Sequence, residues 1–333
     1  MKAARAYPIT AHTTDVRIEQ VEIPAPGPGE VLVQITAAGV TRLDHSVAAG
    51  GPSTMGLLPL TLGSEGAGLV VADPGGRWPA GTRVMFFAGA GGVTADGTMA
   101  EFAVVPVRNL AVIPVNVSDE VAAAVPIAYL TALLALRTGV FEPGTCVFAP
   151  GIGGSVGNAT VQLARALGAA AVAGGVGTTA KAAAIRAAPW AWGVQVVDLE
   201  QDRLRDGLGD GFAAGIDLAV DGVGGAVTAQ IATAMAPGGH LILVGCPGGR
   251  STRLPLGEVI GRRATLHGFS LHAVPSARMR AAWAEIVELL ATARISPVID
   301  SIYPLEAVAE ALRHLVEDRP VGKVVITGLS TTR

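Results

Sequence analysis

Three observations predict an α/β protein in two parts. Residues 16–114 carry short apolar–polar alternations broken by Gly and Pro, the pattern of a small β domain. From residue 146 onward, short apolar strands alternate with amphipathic helices, which implies a doubly wound parallel sheet with helices on both faces. A glycine-rich string, GIGGSVG at 151–157, joins the first of these strands to its helix.

The elements follow in order. VRIEQVEI at 16–23 has the period of a half-buried strand, and PAPGPGE turns the chain into a second strand at 31–37. Further strands are expected at 63–72, 83–87, 99–105 and 110–114. Ser118 with the acids after it predicts a helix start, because its hydroxyl can cap free N–H groups and acids suit the positive end of the dipole. CVFAP at 146–150 is a short buried strand. The helix at 155–167 sets Val156, Thr160, Leu163 and Leu167 on one face. Strand 170–174, helix 179–188 and strands 194–198 and 216–221 come next, then helix 226–235 and strand 240–245. Two more helices are expected at 280–293, with Trp283, Ile286, Val287 and Leu290 on one face, and at 305–317. VGKVVIT at 321–327 is a terminal strand.

Composition narrows the function classes. Half of the 333 residues are hydrophobic and only 15% are charged, so a large core is available and wholesale disorder is excluded. With 24 basic and 27 acidic side chains the net charge is −3, which argues against general nucleic-acid or membrane-surface binding. The 122–136 apolar run is too short to span a bilayer, and MKAARAYPIT has no apolar signal core, so a cytoplasmic protein is expected. Cys146 and Cys246 are the two cysteines, too few for a disulfide framework or a four-Cys zinc site.

The glycine string carries the chemistry. Gly151, Gly153, Gly154 and Gly157, with Ser155 and Val156 between them, let the backbone turn sharply and approach a pyrophosphate. The helix that opens there offers unpaired N–H groups to it. NAD-binding units place an acid roughly 20 residues beyond such glycines. Here AGGVGTTAK at 173–181 has none; it offers Gly175, Thr178, Thr179 and Lys181 instead. A neutral loop ending in a cation suits a 2′-phosphate, so NADPH is the expected cofactor.

The strings PGPGEVLVQITAAGV, LTLGSEGAGLV, GTRV and DGTMAEF, followed by PIAYLTALLAL, GIGGSVGNATVQLARALGA, GIDLAVDGVGG, PGGHLILVG and VGKVVIT, resemble the medium-chain dehydrogenase/reductase superfamily in order and spacing. Within it the chain resembles the zinc-independent quinone oxidoreductase, or zeta-crystallin-like, branch. The resemblance implies a GroES-like β domain from 1–118 and 266–333, and a Rossmann NADP(H)-binding domain over 119–265. Zinc-dependent relatives carry Cys where this chain has Thr41 and His where it has Ser64, together with a four-Cys lobe that is absent. The six histidines, His12, His45, His240, His267, His272 and His314, show no ligand spacing, so no metal is expected.

By the same resemblance Thr131 contacts the nicotinamide side, 151–157 holds the pyrophosphate, and Gly175 and Lys181 meet the adenosine phosphate. Gly245 and Cys246 lie near the nicotinamide, Gly268 and Phe269 border the active site, and Lys323 sits close to the cofactor. The aromatic of many relatives at the adenine ribose falls at about Leu199. The Asn of many quinone oxidoreductases falls at Thr41, and their Tyr and Arg fall at Ser46 and Ala48. The stretch 50–58 offers a different pocket wall.

The implied reaction is zinc-free transfer of hydride from NADPH to a quinone or other activated C=C or enone. Without zinc the developing oxyanion needs hydrogen-bond donors, for which Thr41 and Ser46 are candidates. Tyr129, His45 and Asp44 are candidate proton donors, although Asp44 reads first as a helix N-cap, His45 as a solvated or cap residue and Tyr129 as core or pocket wall. Six arginines and one acid between 250 and 280 suit an acidic carrier, which keeps an enoyl-thioester reductase open. An NADPH-binding protein with little turnover also stays open, because the Asn and Tyr are missing. The expected partner is a small-molecule quinone or enone, with no nucleic acid or membrane. A homodimer is expected, with 264–270 supplying an edge strand.

Overall fold

The computed structural model describes residues 1–8, 15–51 and 57–329. His12 and most of the 50–58 stretch lie outside them. The chain forms two compact units. The first comprises Met1–Ile127, Pro275–Ala291 and Pro297–Arg333; the second comprises Ala128–Val274 and Thr292–Ser296.

The first unit opens with β1 (Lys2–Tyr7), which pairs antiparallel with β2 (Asp15–Gln20) and with β4 (Leu60–Thr61). Between these, β3 (Glu30–Val40) runs into the short helix α1 (Arg42–Ala48). Thr41 is the N-cap of α1: its hydroxyl accepts from the Asp44 N–H, while the Asp44 carboxylate accepts from the Thr41 N–H. Asp44 is therefore the third residue of a capping box, not the cap itself. The strands β5 (Glu65–Ala72), β6 (Arg83–Phe87), β7 (Phe102–Pro106) and β8 (Leu110–Val112) follow. β3 lies between β5 and β7, so β7 branches off the sheet path. Ser118 caps α2 (Asp119–Ala123) as its sequence implies, accepting from the Val121 N–H at 3.3 Å. That helix packs on β3 and β5, which draws the unit's boundary past residue 118 to Ile127.

Helix α3 (Pro126–Thr138) follows, and then the second unit's sheet begins. β9 (Cys146–Pro150) leads to α4 (Ser155–Ala166), β10 (Ala171–Val176) to α5 (Thr179–Ala187), and β11 (Gln195–Asp198) to the single turn α6 (Leu204–Gly207). β12 (Ile216–Asp221), α7 (Ala226–Ala234), β13 (Met235–Leu243), α8 (Leu256–Arg262) and β14 (Thr265–Gly268) complete it. All pairs are parallel, in the order β11-β10-β9-β12-β13-β14. This is the doubly wound order, with its switch point between β9 and β12. β14 pairs with β13, so 266–274 belongs to this unit and not to the β domain. The core gathers Phe148, Ala173, Val197, Ile216, Ile231 and Leu241.

The chain then returns to the first unit through α9 (Ser276–Ala291), β15 (Ile299–Pro304), α10 (Val308–Glu317) and β16 (Lys323–Thr327). β16 pairs antiparallel with β3, Val324 opposite Val40, so the terminal strand closes the main sheet at the start of α1. Val33, Ile35, Phe86, Leu312 and Ile326 are among the side chains filling that unit's core.

Candidate active site

In the second unit, β9 ends at Pro150 and the glycine string turns beneath the sheet's carboxyl edge. Gly151 has φ +65°, a left-handed conformation that favours glycine. Its N–H donates to the Gly175 carbonyl at 2.8 Å, and the Gly154 N–H donates back to the Gly151 carbonyl at 2.8 Å. A Cβ on Gly157 would lie 2.6 Å from the Gly151 carbonyl oxygen and 2.8 Å from that of Pro150, so only glycine lets α4 start this close. A Cβ on Gly174 would strike Ile152, which is fully buried under the turn. Gly154 caps α4 without any side-chain hydrogen bond, so its first N–H groups have no capping partner of the chain's own. Gly151, Gly153, Gly154, Ser155 and Val156 all keep some exposure. A pyrophosphate fits this floor.

Beside this turn β10 and β11 finish at the same edge. Thr178 caps α5, accepting from the Lys181 N–H at 3.3 Å. Gly175 holds Leu199 and Phe148 so closely that a Cβ would meet Leu199 at 2.8 Å. An acid comes instead from the turn after β11: Glu200 Oε2 accepts from the Thr179 N–H at 2.8 Å, and Gln201 Nε2 donates to Thr179 Oγ1 at 3.2 Å. Parallel pairing of Val176 with Asp198 brings it there, which spacing from the glycines does not reveal.

At the far side of the switch point, Asp221 Oδ1 accepts from the N–H groups of Val223 and Gly224 and Oδ2 from the Thr228 hydroxyl. The turn after β13 carries partly exposed Gly245 and exposed Cys246. A Cβ on Gly224 would meet Cys246 Cα at 2.7 Å. The Phe269 N–H donates to the Leu243 carbonyl at 2.9 Å, so Phe269 also stands at the carboxyl edge, beside exposed Gly268. Thr131 is buried within α3.

The first unit holds a buried polar cluster. Asp44, Ser64 and Glu65 are wholly inaccessible, and Thr41 is nearly so. Asp44 Oδ2 accepts from the Thr41 hydroxyl and the Thr41 N–H, each at 2.7 Å, and Oδ1 accepts from the Ser64 hydroxyl at 3.1 Å. Burial pushes the Asp44 carboxyl up to about 6; the bonds from Thr41 and the charge of Lys323 pull it down, and the charge of Glu65 raises it further. Beside it, Lys323 Nζ donates to Glu65 Oε1, while Glu65 Oε2 accepts from the Ile127 N–H at 2.6 Å. Gly39 leaves room for this pair, since a Cβ there would lie 2.7 Å from Glu65 Oε1. The Lys323 ammonium is thus engaged inside the first unit.

The remaining candidates stand elsewhere. Ser46 is exposed on α1, away from the cluster, and has no bond to it. Tyr129 is buried in α3; its hydroxyl has no partner among the described residues, and burial raises its pKa well above the ordinary 10, which makes it a weaker acid. His45 is half-buried, and burial lowers its pKa, helped by the charge of Arg42. The arginine stretch is divided. Arg262 is tied to Glu258 and to the Met235 carbonyl, and Arg278 and Arg280 belong to the first unit while Arg250 and Arg253 belong to the second.

The sequence model of the alcohol dehydrogenase GroES-like domain matches residues 27–115, and that of the zinc-binding dehydrogenase matches 193–326. The chain belongs to the medium-chain dehydrogenase/reductase superfamily. On its quinone oxidoreductase branch, human quinone oxidoreductase is 26% identical over 332 residues, covering 98% of this chain and 97% of that one. An NAD-dependent alcohol dehydrogenase superposes with a TM-score of 0.84 at 28% identity, over 98% of this chain and 99% of the other. The quinone oxidoreductase of Thermus thermophilus, whose structure is also known in complex with NADPH, superposes with a TM-score of 0.81 at 26% identity, over 98% and 100%. The chain is an oxidoreductase of this superfamily, acting on a small molecule with a nicotinamide coenzyme.

The zinc in the matched family's description does not fit these residues. Thr41 and Ser64 present hydroxyls already bonded to Asp44, and Glu65 is held by Lys323. Zinc needs thiolate, imidazole or free carboxylate donors. Among the described residues no group of three His, Cys, Asp or Glu is placed to hold a metal ion. Among them, too, no helix is long and apolar enough to cross a membrane.

Proposed function

We propose that this chain is a zinc-independent, NADPH-dependent reductase of quinones or other activated C=C and enone acceptors. The observation that carries the reading is that the first unit has hydroxyls, Thr41 and Ser64, where zinc-dependent relatives place ligands; the second unit by itself has the glycine-floored turn. When bound, the nicotinamide supplies the hydride. The chain's own work is to seat the pyrophosphate on the N–H groups opening α4 and the adenosine phosphate near Thr178 and Lys181. It also offers the acceptor oxygen a hydrogen-bond donor at Thr41.

Neighbours of both coenzyme types superpose comparably, so the preference for NADPH rests on this chain's residues. The end of β10 is free of acids and is followed by Lys181. Glu200 is exposed, and a 2′-phosphate takes its place at the Thr179 N–H. Two free thiols accord with a cytoplasmic setting. A homodimer is part of the same reading. β14 is an edge strand with largely exposed residues, and Leu256 and Ile260 on α8 are 65% and 74% exposed, the apolar border a paired edge would cover.

The test is oxidation of NADPH and of NADH with benzoquinone, phenanthrenequinone, a simple enone and crotonyl-CoA as acceptors. Faster turnover of quinone or enone with NADPH supports the reading. Preference for the thioester or for NADH overturns the corresponding part, and binding without turnover of any acceptor overturns the catalytic reading. Sedimentation as a monomer would reject the dimer.

A further inference from the structure

We propose that Asp44 is the proton reservoir of the reaction and that Thr41 Oγ1 passes its proton to the reduced acceptor. This rests on the reductase reading above and adds the proton donor to it.

Thr41 and Ser64 have one hydroxyl proton each. With Asp44 ionised, both are spent on its carboxylate, at 2.7 and 3.1 Å. The Thr41 oxygen also accepts from the Asp44 N–H at 3.1 Å, so in this state it has nothing to give an acceptor. With Asp44 protonated, the carboxyl itself donates to the Thr41 oxygen. The Thr41 hydroxyl is then free to turn outward and donate. Of the three groups Thr41 is the least enclosed, at 9% exposure against none for Asp44 and Ser64.

The step balances. After hydride has added to the acceptor's electrophilic carbon, the displaced π pair rests on oxygen. The Thr41 Oγ–H proton moves to that oxygen as Thr41 Oγ takes the Asp44 proton. Thr41 ends unchanged and Asp44 ends as carboxylate; the proton returns from solvent by the reverse transfer through Thr41, the least enclosed of the three groups, before the next turnover.

Burial opposes the Asp44 charge and raises the carboxyl to about 6 against the pull of the Thr41 bonds, so the protonated form is the major one below that pH. The charges facing it are Lys323 on β16 and Glu65 on β5, which are paired with each other. α10 packs on α1 and buries Val308, Ala311 and Leu312; its Glu310, Arg313 and Glu317 are exposed, and His314 is bonded to Asp300 and Asp318. On β1, which also touches α1, Lys2 pairs with Glu306 and Arg5 with Asp96.

The experiment is the pH profile of kcat for an enone, with NADPH binding measured in parallel, in the full chain and in Asp44→Asn and Ser64→Ala. The profile is expected to fall as pH rises through about 6. Asp44→Asn should flatten it and lower kcat by about a hundredfold at its acid plateau, a typical loss for a removed general acid. Ser64→Ala removes a donor to the carboxylate, which disfavours the charged form, so the limb should move up by about one pH unit. Infrared titration should show a protonated carboxyl that Asp44→Asn lacks. An unmoved limb in Ser64→Ala with unaltered NADPH binding, or an Asp44→Asn enzyme that keeps the wild-type profile, overturns the relay alone. Turnover of no acceptor by the unaltered chain fails the reductase reading, and the relay with it.

Discussion

Replacing Asp44 by Asn should change the pH dependence of folding stability in a defined direction. The Asp44 carboxyl lies near 6 in the folded protein against an ordinary 3.8, because burial disfavours its charge. The folded state therefore binds this proton more tightly than the unfolded state. Its contribution to stability is fully present below about 3.8 and is lost as pH rises through about 6. A gap of about two pKa units corresponds to roughly 3 kcal/mol. Asn carries no such proton. The stability of the wild type relative to Asp44→Asn should thus fall by roughly 2.5 kcal/mol between about pH 4 and pH 7, while the titrations common to both chains cancel. Urea unfolding followed at Trp78 and Trp283, both in the first unit, reads this directly once Trp190 and Trp192 are replaced by Phe. The difference between the two midpoints should change by about 1 M urea across that range. A difference that is the same at every pH would mean that burial does not raise the Asp44 carboxyl.

Three other outcomes are expected. Lys323→Met leaves Glu65 charged and enclosed with the Ile127 N–H, and should destabilise the first unit by about 3–5 kcal/mol; Glu65→Leu with Lys323→Met should cost less than the single change, as urea unfolding of both will show. Gly157→Ala puts a Cβ against the Gly151 and Pro150 carbonyls, so coenzyme affinity in a fluorescence titration should fall by about tenfold or more, with the unfolding of the first unit unchanged. Glu200→Gln removes a negative charge at the Thr179 N–H and should tighten NADPH several-fold relative to NADH; equal effects on the two coenzymes would place the 2′-phosphate elsewhere.

Parts of the fold escaped sequence reading for identifiable reasons. The strand Lys2–Tyr7 has a mixed, Ala-rich sequence, and its pairing depends on two segments further along the chain. The helix Pro126–Thr138 is apolar almost all round, so no periodicity marks it. The strand Ile299–Pro304 alternates only partly buried and exposed residues and is recruited by β16. Glu200 escaped because parallel strands align their ends regardless of sequence distance.

What the sequence determined by itself was local. Alternating strands and helices dictated the parallel sheet, glycine at 151 and 157 dictated a turn that larger residues would strain, and Thr41 with Asp44 three residues on made a capping box. Tertiary structure alone decided what that box became. Antiparallel pairing of β3 with β5 and β16 brings Ser64, Glu65 and Lys323 beside it from residues far along the chain. Enclosure by those neighbours removes water from Asp44, and it is this loss of solvation that raises an ordinary capping carboxylate from 3.8 to about 6.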